Sequence, residues 1–265
     1  MNVTIGQYYP ADSFVHQLDP RVKLLGVTLF IAALFTVNSF AGYAFIAVCM
    51  GLAIYATKVP PIFMLRGLRA LIFILIFTSA LNIFFTAGNT VLVSFWVITI
   101  TLEGILNAIR MVSRLTMLIV GSSVLTLTTT PIKLTDAIEY VLGPFKRIGV
   151  PAHEIAMMMS IALRFIPTLL EEIDRIMKAQ MARGADFDTG GLIKKAKSLV
   201  PLLVPLFISA FRRADELAVA MEARCYRGDI NRTKMKVMRL ERRDFKALWV
   251  MLVFSAAIVL LKIYI

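Results

Sequence analysis

The chain has 265 residues, of which 58% are hydrophobic and 17% charged, with a mean hydropathy of +0.78. A soluble globular domain runs at about 45–50% apolar and about 25% charged, so the composition excludes an ordinary soluble domain and points to an integral membrane protein. A formal charge of +12 would suggest a nucleic-acid partner in a soluble protein, but here the basic residues flank long apolar runs, as they do on the cytoplasmic side of a membrane, and no nucleic-acid partner is expected.

The opening residues, MNVTIGQYYPADS, have no basic stretch leading into an apolar core, so they do not read as a signal peptide. A spanning helix needs about 20 mostly apolar residues, and five runs approach that. Leu24–Phe40 comes first, with Asp19 placed to cap it and Pro20 suited to its first turn. Ala41–Thr57 follows after an uncharged join around Asn38-Ser39. Leu68–Ala87 is the third. Val91–Ile100 (VLVSFWVITI) is apolar, rich in β-branched residues and only ten residues long. It is expected either as a re-entrant piece or as an extension of the fourth helix. The fourth run lies within Thr101–Thr130 and carries Glu103, Arg110 and Arg114. The last is Ala247–Ile265.

Arg110 and Arg114 stand at i, i+4 and share a helix face. Such charges either face a bundle interior or snorkel to the membrane edge, and the second is expected here. Glu103 is a candidate partner for Arg110. Thr78 and Asn82 are expected to hydrogen-bond between helices.

Basic residues set the orientation. Arg21 and Lys23 precede the first run, and Lys58, Arg66 and Arg69 lie between the second and third. The joins after the first and third runs are uncharged. The N-terminus and the 58–69 segment are therefore expected inside, and the C-terminus outside. Residues 131–246 hold 21 of the 29 Lys and Arg and 14 of the 17 Asp and Glu, a net charge of +7. That block reads as cytoplasmic, between a membrane region over 1–130 and a last span over 247–265.

Three helical patterns fill the block. Leu134–Phe145 is expected to start at a Thr135 cap and stop at Gly143-Pro144. Ala152–Arg183 and Leu192–Tyr226 are long and amphipathic, with apolar residues at i, i+3, i+4 spacing and with Pro167, Pro201 and Pro205 expected to kink them. The fold class is an all-α integral membrane protein, with about five transmembrane helices plus long amphipathic cytoplasmic helices.

The two long patterns end alike. Asp174, Ala179, Ala182 and Arg183 recur 41 residues later as Asp215, Ala220, Ala223 and Arg224. A cation at a helix C-terminus can simply complement the macrodipole, worth about 0.3–1 kcal/mol when exposed. Arg is also the residue suited to planar, bidentate docking on carboxylates. A pair of such tips reads as two plugs for two equivalent sockets on a soluble partner. Gly184 provides a stop after the first tip. At the second tip Cys225 replaces that glycine, so the helix is expected to run on toward Arg227-Gly228.

No catalytic residue is identified. There is no G-x-x-x-x-G-K-[ST], G-x-S-x-G or H-E-x-x-H, and Cys49, Cys225, His16 and His153 form neither a disulfide framework nor a metal site. A membrane enzyme acting on lipid remains an alternative, its only acidic cluster being Glu171, Glu172 and Asp174.

Ala182-Arg183-Gly184 and Ala223-Arg224-Cys225, together with GQYYPADSFVHQLDPRVKLL at 6–25, carry a resemblance. Over essentially its whole length the chain resembles the transmembrane coupling (T) component of energy-coupling factor transporters. The resemblance implies a subunit without catalytic activity in a bacterial cell membrane. Its partners would be two cytoplasmic ABC ATPases, a substrate-binding S component and the lipid bilayer. ATP would be bound by the ATPases, and no cofactor by this chain. Ala182, Arg183, Gly184, Ala223, Arg224 and Cys225 would dock the ATPases. Met157, Met158, Met159, Phe165, Leu169, Leu203 and Phe207 would face the S component, although Met also commonly fills core gaps. The cargo would be a vitamin or other micronutrient, or cobalt or nickel in a dedicated system.

Overall fold

Asp19 opens the first helix as its sequence position suggests. Its carboxylate accepts from the Arg21 N–H at 2.9 Å, and Pro20 takes the first helical position. The structure is a computed structural model and describes residues 8–86, 90–95, 98–185, 187, 191–228 and 238–264. Within them α1 spans Pro20–Thr36, α2 Phe40–Thr57, α3 Pro61–Phe85, α4 Leu102–Thr128, α5 Pro131–Leu142, α6 Ala152–Ala182, α7 Leu192–Ala223 and α8 Arg242–Tyr264. The protein is an all-α integral membrane protein, and among the described residues it carries one small β-hairpin.

That hairpin corrects the reading of 91–100. Strand β1 (Val91–Phe95) pairs antiparallel with β2 (Ile98–Thr101), in the register Val93↔Ile100, Ser94↔Thr99 and Phe95↔Ile98. Its described residues are strands, so the stretch does not extend α4 as a helix. Its β-branched residues favour a pleated backbone, and Thr101 stops β2 from running into the helix. The Thr101 hydroxyl caps α4 by accepting from the Gly104 N–H at 3.1 Å, and donates to the Thr86 carbonyl at 3.0 Å. Ala87 and residues 96–97 lie outside the described residues.

Contacts divide the chain into two compact units, residues 1–137 with 237–265, and residues 138–236. In the first, α3 and α4 make the most extensive helix pair, and α1 packs on both α4 and α8. Among the described residues four helices are long and apolar enough to cross a membrane, α2, α4, α6 and α8 (to Ile263), and α3 makes a fifth if its two segments, bent by 61°, count as one span. At 17 residues α1 is just shorter than these. That α6 qualifies shows how little length and apolarity separate a span from an amphipathic helix. Its second half carries Glu171, Glu172, Asp174, Arg175 and Lys178.

Lipid tails are as apolar as Leu, so close packing rather than apolar transfer holds spanning helices together. Leu34, Ile46 and Ile258 are buried at the junction of α1, α2 and α8. Gly121 of α4 lies against the Phe30 ring of α1, leaving no room for a Cβ. Hydroxyls along the apolar helices are satisfied by carbonyls four residues back, as at Thr28, Thr36, Ser123 and Thr128. Thr78 and Asn82 bond likewise within α3, to Ile74 and Thr78, and not between helices as expected.

Arg114 is held by protein groups at the α1–α2 turn. Its guanidinium donates to the Tyr43 hydroxyl at 3.0 Å and to the Val37 carbonyl and Asn38 Oδ1 at 3.3 Å, and it lies near the Phe35 ring. It thereby satisfies the end of α1 and ties α4 to the α1–α2 turn. Arg110 lies over the Phe40 ring instead. Glu103 accepts from the Thr90 N–H at 3.3 Å. The short-helix expectation also shifts. α5 starts at Pro131, and Thr135 lies inside it with its hydroxyl on the Pro131 carbonyl at 3.0 Å, so it is not the cap. After Leu142 the chain tightens into a 3-10 helix over Gly143–Ile148.

The N-termini of α1 and α8 and the C-terminus of α4 meet at one end of the first unit, in a buried polar knot. The Lys23 ammonium, 7% exposed, has three acceptors for its three protons: the Thr128 carbonyl at 2.9 Å, the His16 carbonyl at 3.3 Å and Thr129 Oγ1 at 3.4 Å. Thr128 ends α4, so this cation also meets the negative end of that helix. Asp244, 2% exposed, accepts from the Asp19 N–H at 2.8 Å with one oxygen and from the Glu241 N–H at 2.8 Å with the other. Arg243 reaches Gln17 beside it. Val59 at the end of α2 packs with Leu127 of α4 and with Tyr9 near this end, so Lys58 joins Arg21 and Lys23 on the same side.

His16 extends the knot. Its Nε2 lies 3.0 Å from the Tyr9 carbonyl, which can only accept, so Nε2 carries the proton and Nδ1 accepts from the Ser13 hydroxyl at 2.6 Å. Burial, with the Lys23 charge adding to it and the Tyr9 carbonyl and Asp12 opposing, holds its pKa below the ordinary 6.5. The folded protein then binds fewer protons than the unfolded chain just below pH 6.5, so this contribution to stability is complete above that value and is lost as the pH falls toward the folded pKa. Melting temperature measured from pH 7.5 to 5 should fall in that window, and His16→Gln should flatten the profile there.

Candidate functional site

The two arginine-bearing helix ends have the same backbone geometry. Ala182 is the last residue of α6, and Arg183 follows with φ −89° and ψ 8°. Ala223 is the last residue of α7, and Arg224 follows with φ −92° and ψ 10°. The hydrogen bonds also match one for one. Arg183 N–H donates to Gln180, Gly184 N–H to Met181 and Ala185 N–H to Gln180, each at 3.0 Å. Forty-one residues on, Arg224 N–H donates to Met221 at 3.1 Å, Cys225 N–H to Glu222 at 2.9 Å and Tyr226 N–H to Met221 at 3.1 Å. Both are Schellman caps, which close the last carbonyls with a left-handed residue just past the helix.

That left-handed residue is Gly184 at φ +86° in one copy and Cys225 at φ +54° in the other. The expectation that α7 runs on toward Arg227-Gly228 is therefore corrected. The cap bonds and the return of Tyr226 hold Cys225 in a conformation costing about 1–2 kcal/mol for a residue with a side chain. Cys225→Gly should then stabilise the α7 end by about 1 kcal/mol, and Gly184→Ala should weaken the α6 end by a similar amount. Amide exchange at residues 184–185 and 225–226 checks both, and an unchanged rate in Cys225→Gly would remove the strain argument.

Ala182, Arg183, Gly184, Ala223, Arg224 and Cys225 are all exposed, so each tip offers a guanidinium beside small or flat backbone. The arrangement can insert a cation into an acidic groove.

Helices α6 and α7 touch through Glu172 and Arg213. Glu172 Oε2 accepts from Arg213 Nη2 at 3.1 Å, and the Ser209 hydroxyl bonds the same carboxylate. Sequence reading missed this pair, although applying the 41-residue offset to Glu171-Glu172 lands on Arg212-Arg213. It also missed Lys23 and Asp244, whose partners lie 105 and 225 residues away. Both helices run through Pro167, Pro201 and Pro205 without interruption.

The residues expected to meet a membrane partner divide by exposure. Met158, Met159, Leu203 and Phe207 are exposed, at 58%, 36%, 47% and 61%, while Met157, Phe165 and Leu169 are half-buried. On α7, Leu203 and Phe207 belong to a wider exposed apolar band with Val204, Ile208 and Phe211, while Leu202 turns inward. Among the described residues no group of three or more His, Cys, Asp or Glu is placed to hold a metal ion.

Comparison with known proteins agrees with this architecture. Residues 11–236 match the family model CbiQ, cobalt transport protein. The chain is 54% identical over 264 residues to a protein of Clostridium kluyveri, covering 99% of this chain and 98% of that one. It is 57% identical over 245 residues to a protein of Thermosediminibacter oceani, covering 92% of each. It is 45% identical over 243 residues to one of Lactococcus lactis, covering 92% of this chain and 91% of that one. Each of the three is named energy-coupling factor transporter transmembrane protein EcfT. With identity of this level spread along nearly the full length, the chain belongs to the CbiQ family of transport proteins.

Proposed function

We propose that this chain is the non-catalytic coupling subunit of an energy-coupling factor importer in a bacterial cell membrane. Arg183 and Arg224 dock one cytoplasmic ATPase each. The helices α6 and α7 carry the motion that ATP drives in those partners to a substrate-binding S component lying on their exposed apolar residues. Residues 131–246 are cytoplasmic, as is the N-terminus, and the C-terminus of α8 is external. ATP is bound by the partners, and this chain carries no cofactor of its own.

The observation that carries this reading is the pair of matching exposed caps. A lone cation at a helix end needs no partner to explain it. Two arginines in the same backbone geometry, each beside an exposed Ala, suit two copies of one acidic socket. The names of the relatives support the energy-coupling reading and the family description includes cobalt. In either case the cargo, a vitamin or other micronutrient or a metal ion, is recognised by the S component.

Co-purification tests the reading. Tagged wild-type chain expressed with the organism's ATPase pair should retain both ATPases in detergent, and Arg183→Glu/Arg224→Glu should lose them. Equal retention by the two would overturn the docking role.

A further inference from the structure

We propose that Glu172 and Arg213 form a lock at the midpoint of the lever system, setting the distance between the two docking tips. This rests on the coupling reading for its consequence, though not for its geometry. The 41-residue offset that superposes the tips also superposes Glu172 on Arg213. The helices therefore touch at equivalent positions, as two halves related by a local two-fold axis do. Arg183 stands eleven residues beyond Glu172, and Arg224 eleven beyond Arg213. At about 1.5 Å per residue each arm is about 16 Å long. A change in the crossing of α6 and α7 at this point moves both tips equally.

Charge shows why the pair suits this place. A faithful repeat would bring like charges together wherever equivalent positions meet, and like charges across an interface are unfavourable. The chain instead carries Glu171-Glu172 in one copy and Arg212-Arg213 in the other. The repeat reverses sign at the contact and keeps Ala-Arg at the tips. Both side chains of the lock are partly shielded, 23% and 34% exposed, and the Ser209 hydroxyl holds the carboxylate from a second side. By contrast Arg175 and Glu171, at 83% and 71% exposed and 4.0 Å apart, make only a surface pair.

The test measures tip spacing and coupling separately. Spin labels on Met181→Cys and on native Cys225, in a Cys49→Ala background, report the distance between tips in lipid nanodiscs. Wild type should give one narrow distribution. Glu172→Arg should broaden it, Glu172→Gln should do so less, and Glu172→Arg/Arg213→Glu should narrow it again. In the complete transporter, Glu172→Arg should keep its ATPases bound and hydrolysing while cargo moved per ATP falls several-fold. The swapped pair should recover most of that ratio, which a mere folding role would not predict. A narrow distribution and an unchanged ratio in Glu172→Arg would overturn the lock. If wild type binds no ATPase, the coupling reading fails on its own, and the distance measurement still decides whether the lock exists.

Discussion

Transport should be abolished in Arg183→Glu/Arg224→Glu, while the chain still inserts and folds. Truncating one side of a buried interfacial charge pair costs about 2–5 kcal/mol, part of it from stranding the partner's carboxylate. Two tips together then forfeit about 4–10 kcal/mol, a factor of about 10³–10⁷ in affinity at 1.4 kcal/mol per tenfold. Charge reversal adds repulsion to that loss. Arg183→Ala and Arg224→Ala singly should weaken ATPase retention by about the factor of one pair and leave residual uptake. Stability separates this from misfolding. Both side chains are exposed, so in the isolated subunit each contributes only its interaction with the helix end, about 0.3–1 kcal/mol. The melting temperature of the double variant should stay close to wild type while uptake in proteoliposomes vanishes. Wild-type uptake by the double variant would end the plug model.

Asp244→Ala should be the most damaging single change to the membrane unit. The carboxylate satisfies two backbone N–H groups at once, that of Asp19 at the start of α1 and that of Glu241 at the start of α8. Leaving a buried donor such as the Asp19 N–H unsatisfied costs about 1–3 kcal/mol, and the Glu241 N–H, only partly shielded, adds less. A shift of that size is a large fraction of a typical folding free energy of about 5–15 kcal/mol. Asp244→Asn keeps one acceptor oxygen and should recover part of the loss. Thermal unfolding in detergent, followed by tryptophan fluorescence, orders the variants as wild type, Asn, Ala. Equal melting temperatures for Ala and wild type would show that water reaches these amides and that the knot is not a fastening. Because Asp19 also caps α1 and Lys23 closes the end of α4, fraying at this point should spread to three helices.

Much of the fold was legible because its signals are local. The apolar runs, the Asp19-Pro20 start, the turn at Asn38-Ser39 and the two long amphipathic helices need only near neighbours to be recognised. Both arginine tips were legible for the same reason, since a 41-residue repeat is visible without coordinates. The misses are equally physical. Val91–Thr101 has no turn signature, and a short apolar run reads alike as helix or strand until its partner strand is known. Cys225 occupies a left-handed position that its residue type disfavours, and only the cap bonds explain why α7 stops there. Thr135 has the character of a cap, yet Pro131 took the first turn, because a proline serves that position without an N–H.

Composition, periodicity and helix-end chemistry thus determined that this is a helical membrane protein presenting two equivalent arginines. What pairs with what across the fold was decided by tertiary structure alone. Lys23 with Thr128, Asp19 with Asp244, Arg114 with the α1–α2 turn and Glu172 with Arg213 join residues 41 to 225 positions apart. A buried charge must find its counterpart wherever packing places one, and no local pattern carries that address.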